Sequence, residues 1–142
     1  MAGRGEDTTK LSAEERQAVK DRARELRAAK KGAAAEQAVL EAIAAMSEDD
    51  QVIAKRVHAI VKEVAPELGP KTMYGMPAYA RDGKTVILFQ AASKFDTRYS
   101  TLSFEDRANL DDGPMWPTGF AITELTPDVE DRIVDLVRRA VT

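Results

Sequence analysis

Asp82-Gly83 is the feature that most narrows what this chain can fold into. The pair stands between Tyr79-Ala80-Arg81 and Lys84-Thr85-Val86-Ile87-Leu88-Phe89. A two-residue loop of this composition takes the positive φ angles of a type I′ turn, whose twist matches the strands it joins. The pattern predicts a β-hairpin. With Arg81 paired to Lys84, the register puts Tyr79, Val86 and Leu88 on one face and Ala78, Ala80, Ile87 and Phe89 on the other. Both faces of the second strand are then apolar. Such a strand lies inside its sheet, with helices over one side and the other side partly covered or lining a cavity. Small Ala78 and Ala80 leave room for helices above Ile87 and Phe89, so Tyr79, Val86 and Leu88 are expected to floor the second surface.

The rest of the chain supplies the helices. Ser12-Ala13-Glu14-Glu15 has capping-box spacing and opens a basic helix through Lys31, with a thin apolar stripe of Leu11, Val19 and Leu26. Gly32 predicts a break, and an Ala-rich helix resumes over 33–46 with Val39, Ile43 and Met46 at helical spacing. Ser47-Glu48-Asp49-Asp50 restarts the chain with an N-cap and an acidic first turn. The stripe that follows, Ile53, Val57, Ile60, Val61 and Val64, is the strongest in the protein and stops at Pro66, Gly69 and Pro70. Beyond the hairpin, 94–104 alternates as a strand, 105–110 reads as a short helical turn, Asp111-Asp112-Gly113-Pro114 as a loop, and 118–125 as a last strand. Thr126-Pro127 then opens a helix striped by Val129, Ile133, Leu136, Val137 and Ala140. At 142 residues this is one domain's worth of core-forming chain. The predicted organisation is a disordered N-terminus over 1–9, a helical extension over 10–46, and an α+β domain over 47–142. That domain is a two-layer sandwich, with an antiparallel sheet of four to five strands and N-terminal and C-terminal helices on one face.

Composition removes whole classes of chemistry. The chain has no cysteine, which excludes disulfides, thiolate metal sites and cysteine nucleophiles and fits a reducing compartment. No apolar run approaches a membrane span and Met1-Ala2-Gly3-Arg4-Gly5 lacks a leader's apolar core, so the expected setting is cytoplasmic, with no membrane partner. The net charge of −3 divides unevenly: nine Lys and Arg face six Asp and Glu over 1–31, against twelve and eighteen over 32–142. No aromatic interleaves the basic helix, which argues against nucleic acid and leaves a partner or a second copy of the chain. Serines lack a nucleophile elbow and glycines lack phosphate-loop spacing, so a non-enzymatic role is expected. His58, the lone histidine, reads as a hydrogen-bonded boundary residue rather than a general base.

Two kinds of ligand remain. A metal would need oxygen donors, which suits iron, magnesium, manganese or calcium. The candidates are Asp111 and Asp112, near Glu105 and Asp106, and Asp128 and Asp131 on the last helix. Asp128 with Arg132 and Asp135 with Arg139 are spaced for ion pairs that would neutralise that helix face. A small anionic or planar ligand on the Tyr79 face would instead use Tyr74, Tyr79, Lys94, Arg98 and Trp116, with Lys71 nearby. Core packing accounts for the aromatics equally well.

Pro66-Glu67, Tyr74-Gly75-Met76-Pro77-Ala78-Tyr79, Gly83-Lys84 and Thr126-Pro127 together resemble the YdhG-like family. That family is a domain of unknown function, also called frataxin-like, some of whose members are described as intracellular iron chaperones. The resemblance covers 51–141 and implies a small α+β sandwich, a metal or small-ligand carrier role, and iron as the metal. This chain departs after Lys94, where Tyr99-Ser100-Thr101-Leu102 replaces a Gly-Phe-Tyr-Pro-like segment, and 10–46 lies outside the common domain.

Overall fold

A computed structural model describes residues 12–142. The disordered stretch expected over 1–9, and the contributions of Lys10 and Leu11, lie outside the described residues. The chain forms two compact units, one running to Ala34 and the other Ala35–Thr142. In the first, helix α1 (Ala13–Ala44) starts behind Ser12, whose Oγ accepts the Glu15 N–H at 3.0 Å. Val19 and Leu26 are each 59% exposed there. The break expected at Gly32 is absent, because a glycine costs a helix only ~1 kcal/mol and its Ala-rich flanks favour continuation. The end of α1 belongs to the second unit, where Val39 and Ile43 are buried in the core. Part of the expected extension is therefore core.

The second unit continues with α2 (Glu48–Val64), β1 (Gly69–Met73), β2 (Met76–Arg81), β3 (Lys84–Gln90), α3 (Ala92–Phe95), β4 (Ser100–Phe104), β5 (Gly119–Ile122) and α4 (Pro127–Ala140). The five strands make one antiparallel sheet in the order β1-β2-β3-β4-β5. Ser47 caps α2, its Oγ accepting the Asp50 N–H at 3.3 Å, and Thr126 caps α4, its Oγ1 accepting the Val129 N–H at 3.2 Å. Each cap satisfies an N–H that the helix itself cannot. The α2 stripe Ile53, Val57, Ile60 and Val61 and the α4 stripe Ile133, Leu136, Val137 and Ala140 are buried in one cluster with Ile87 and Phe89. The α+β architecture is as the sequence predicts.

Register is where expectation and structure part. Arg81 pairs with Lys84 and Ala80 with Thr85, but then the ladder shifts, so that Tyr79 faces Ile87 and Ala78 faces Leu88. Val86 is the extra residue of a β-bulge, and its carbonyl accepts the Glu105 N–H at 2.8 Å. One inserted residue exchanges the faces. Tyr79 and Val86 join Ile87 and Phe89 in the helix-covered core, while Leu88 packs with Met76 and Ala78 in a smaller cluster. Tyr79, Val86 and Leu88 thus do not share a surface.

Four further differences separate the structure from the expected pattern. Edge strand β1 has no sequence signal, since Gly69 and Pro70 are poor strand formers; a proline is tolerated at an edge because its missing N–H would face outward. Tyr74 and Gly75, at φ 52 and 76, make a second tight turn like that of Asp82 and Gly83, at φ 51 and 77. The strand expected over 94–104 begins only at Ser100, and Lys94 lies in the short α3. At the C-terminal side, the strand expected over 118–125 is the shorter β5.

Candidate functional site

The end of α1, the cap of α2, the Tyr74-Gly75 turn and α3 border a cavity of about 590 Å³. Its walls are mainly apolar, with Ala42, Met46, Met76, Pro77 and Phe89 prominent, and Ser47, Ser93 and Lys94 bring polar atoms to it. Lys94 is held by geometry local to the two turns. Asp96, at φ 52, ends α3 one turn after it begins, and the Lys94 ammonium donates to the Tyr74 carbonyl. A Cβ on Gly75 would stand 2.8 Å from Lys94 Nζ, so glycine serves both the positive φ and the seat of the lysine.

Asp50, in the first turn of α2, engages three serine hydroxyls, those of Ser47, Ser93 and Ser100. The Asp50 Oδ2 accepts from Ser93 Oγ at 2.5 Å and from the Ser93 N–H at 2.9 Å, and Oδ1 accepts from Ser100 Oγ at 3.4 Å. Ser100 Oγ in turn accepts the Ala92 N–H at 3.1 Å. Asp50 is only 5% exposed. Burial opposes its charge, yet the hydrogen bonds from Ser93, Ser47 and Ser100 outweigh burial and hold the carboxyl below the usual carboxylate range. This one side chain ties α2 to α3 and β4.

A second cavity, of about 300 Å³, lies against β2 and is lined by Glu36, His58, Lys62 and Tyr79 together with Val61, Pro66, Leu68 and Pro70. Tyr79 Oη is 2.9 Å from His58 Nδ1, and His58 Nε2 is 3.1 Å from Glu36 Oε1, which also accepts from the Lys62 ammonium. The carboxylate can only accept, so His58 Nε2 carries a proton toward Glu36, and the Tyr79 hydroxyl is placed to donate to Nδ1. Hydrogen bonds from Lys62 and then His58 hold the Glu36 carboxyl below the usual range, against the smaller opposing effect of burial. Tyr79, 2% exposed, has its phenol pushed well up by burial, with the Glu36 charge adding to it.

Of the residues the sequence singles out, the structure brings Tyr74 and Lys94 together, through the Tyr74 carbonyl; the ring of Tyr74 is in a residue 86% exposed. Tyr79 lies in the second cavity, turned there by the bulge. Arg98 stands 5.4 Å from the Tyr99 ring centroid beside a separate hollow near Asp50, and Trp116 packs half-buried against the core beside Phe104 and Leu110. Lys71 pairs with Ala78 on the face turned from the helices. A shared pocket on an open Tyr79 face is therefore not formed.

Asp111, Asp112, Asp128 and Asp131 are all exposed. Asp135 meets Arg139 at 3.5 Å as its spacing predicts, whereas Arg132 lies 5.8 Å from the Phe120 ring centroid. Among the described residues no three His, Asp or Glu side chains converge as a group that could hold a metal ion. Sequence reasoning missed Glu36, Asp50 and the partners of His58. Glu36 sits in an Ala-rich helical run placed outside the predicted α+β domain, and Asp50 reads as an ordinary first-turn acid.

No protein-family model matches the chain, and no curated protein or solved structure matches it either. No helix among the described residues is long and apolar enough to cross a membrane.

Proposed function

We propose that this chain is a non-catalytic binding protein whose principal site is the 590 Å³ cavity, taking a small amphiphilic anion with an apolar body and one carboxylate. The observation that carries this is the Lys94 ammonium, pinned at the edge of an apolar hollow by one hydrogen bond to the Tyr74 carbonyl. An ammonium has three donors, and among the described residues one is used. Ser47 and Ser93, the other polar residues there, already serve Asp50. Lys94 is therefore the remaining handle for a charged group, and Met46, Met76 and Phe89 offer the apolar contact that supplies most of a small ligand's affinity. Gly75, Met76 and Pro77, from the Tyr74–Tyr79 segment that carries the family resemblance, line this same hollow, which supports a ligand-carrier role.

Catalysis is not favoured by the two hydrogen-bonded clusters. Asp50 meets serines with no histidine between them, and the Tyr79 phenol is pushed toward its protonated form, the opposite of an activated nucleophile. The test is thermal unfolding of wild type and Lys94→Met across a series of alkyl and aryl carboxylates, with the matched primary amides as uncharged controls. A ligand that binds the folded state alone raises Tm with its concentration. A carboxylate should raise Tm in wild type and lose that effect in Lys94→Met; amides that work as well, or a variant that responds unchanged, would refute the assignment.

A further inference from the structure

We infer that the smaller cavity beside His58 is a second binding site, for a small planar ring bearing a cationic or N–H donor group. The inference comes from counting which hydrogen-bonding capacity its polar wall has left. Tyr79 gives its proton to His58 Nδ1, His58 gives its Nε2 proton to Glu36 Oε1, and Lys62 donates to that same oxygen. Among the described residues, Glu36 Oε2 and the lone pairs of Tyr79 Oη receive no hydrogen bond. Both are acceptors. The Lys62 side chain is 66% exposed, and its ammonium is turned to Glu36 Oε1. A bound anion would face acceptors, while an amidinium, an amine or a ring N–H would complete them.

The apolar remainder of the lining selects the body of the ligand. Pro66 and Pro70 present rigid rings, and Val61 and Leu68 fill in between them. A hollow of about 300 Å³ holds a single ring system.

Benzamidine is the probe that tests this, with benzoate as a counter-probe of the same shape and opposite charge. Each is titrated into the ¹⁵N-labelled full chain and followed by NMR. Benzamidine should produce saturable shifts at the Val61, Leu68 and Tyr79 amides and at the His58 ring protons, and Glu36→Gln should weaken it about tenfold. Lys62→Met, which removes the neutralising partner of Glu36 at a mostly exposed position, should tighten it several-fold. Benzoate binding equally well, Glu36→Gln binding unchanged, Lys62→Met weakening the response, or benzamidine shifts confined to surface carboxylates would each overturn the assignment.

Discussion

The two cavities place a charged group beside an apolar wall in opposite ways. At the larger one, Asp50 engages the neighbouring hydroxyls, and Lys94 has no hydrogen-bond partner among the described residues but the Tyr74 carbonyl. At the smaller, Tyr79 donates to His58, His58 and Lys62 both donate to one Glu36 oxygen, and what is left over is acceptor capacity. The lesson is that the sign of a site follows from which hydrogen-bonding groups are already satisfied within the fold, not from which charged residues line it. Lysine lines both.

Substitutions can break this contrast, and the largest effect belongs to Asp50. Asp50→Ala strands the Ser93 and Ser100 donors and releases α3, so urea unfolding should show a loss of ~3 kcal/mol. Carboxylate binding should fall with it while the His58 ring signals stay put. A loss under ~1 kcal/mol would mean that α3 is anchored by something else. Tyr79→Phe comes next. It leaves His58 Nδ1 without its donor in a mostly buried setting and should cost ~1–2 kcal/mol by the same measurement. A neutral result would show that water replaces the hydroxyl.

Gly75→Ala should cost ~1–2 kcal/mol for the positive φ alone, and it displaces Lys94, so the carboxylate response should weaken even where the protein stays folded. Acid should act on both clusters together. The Asp50 and Glu36 carboxyls are held below their ordinary range, so the stability they add is present at neutral pH and is lost as pH falls through and below that range. Asp50→Asn should flatten the acid side of a urea-midpoint profile, and a profile as steep as wild type would count against the hydrogen bonds assigned to it. The smallest effect on stability is expected from Lys94→Met, within ~0.5 kcal/mol, although it should abolish carboxylate binding. That separation of stability from binding sharpens the contrast with Asp50.

The fold was legible in proportion to how local its causes are. Ser47 and Thr126 announce their helices because a cap acts within three residues, and Asp82-Gly83 announces its turn because two adjacent φ angles decide it. Tyr74-Gly75 makes the same kind of turn with a weaker sign, since tyrosine rarely takes a positive φ and the strand before it begins with Gly69 and Pro70. The site was far less legible. Tyr74 and Lys94 stand out in the sequence for aromatic and cationic character, yet it is a backbone carbonyl and a one-turn helix that join them. Arg98 and Trp116 belong to other surroundings, and Glu36 and Asp50 carry no local sign of burial.

From the amino-acid order alone came the helical stripes, the caps, the hairpin and the α+β class, because each depends on neighbours within about one turn or one strand pair. The tertiary structure decided the rest. The bulge at Val86 turned Tyr79 from an expected open face into the core, where it meets a histidine 21 residues away whose other nitrogen meets a glutamate 22 residues from it. Asp50 finds Ser93 across 43 residues. Contacts at such separations exist only once the sheet has chosen its register, and a one-residue shift in that register decides which side chains share a cavity.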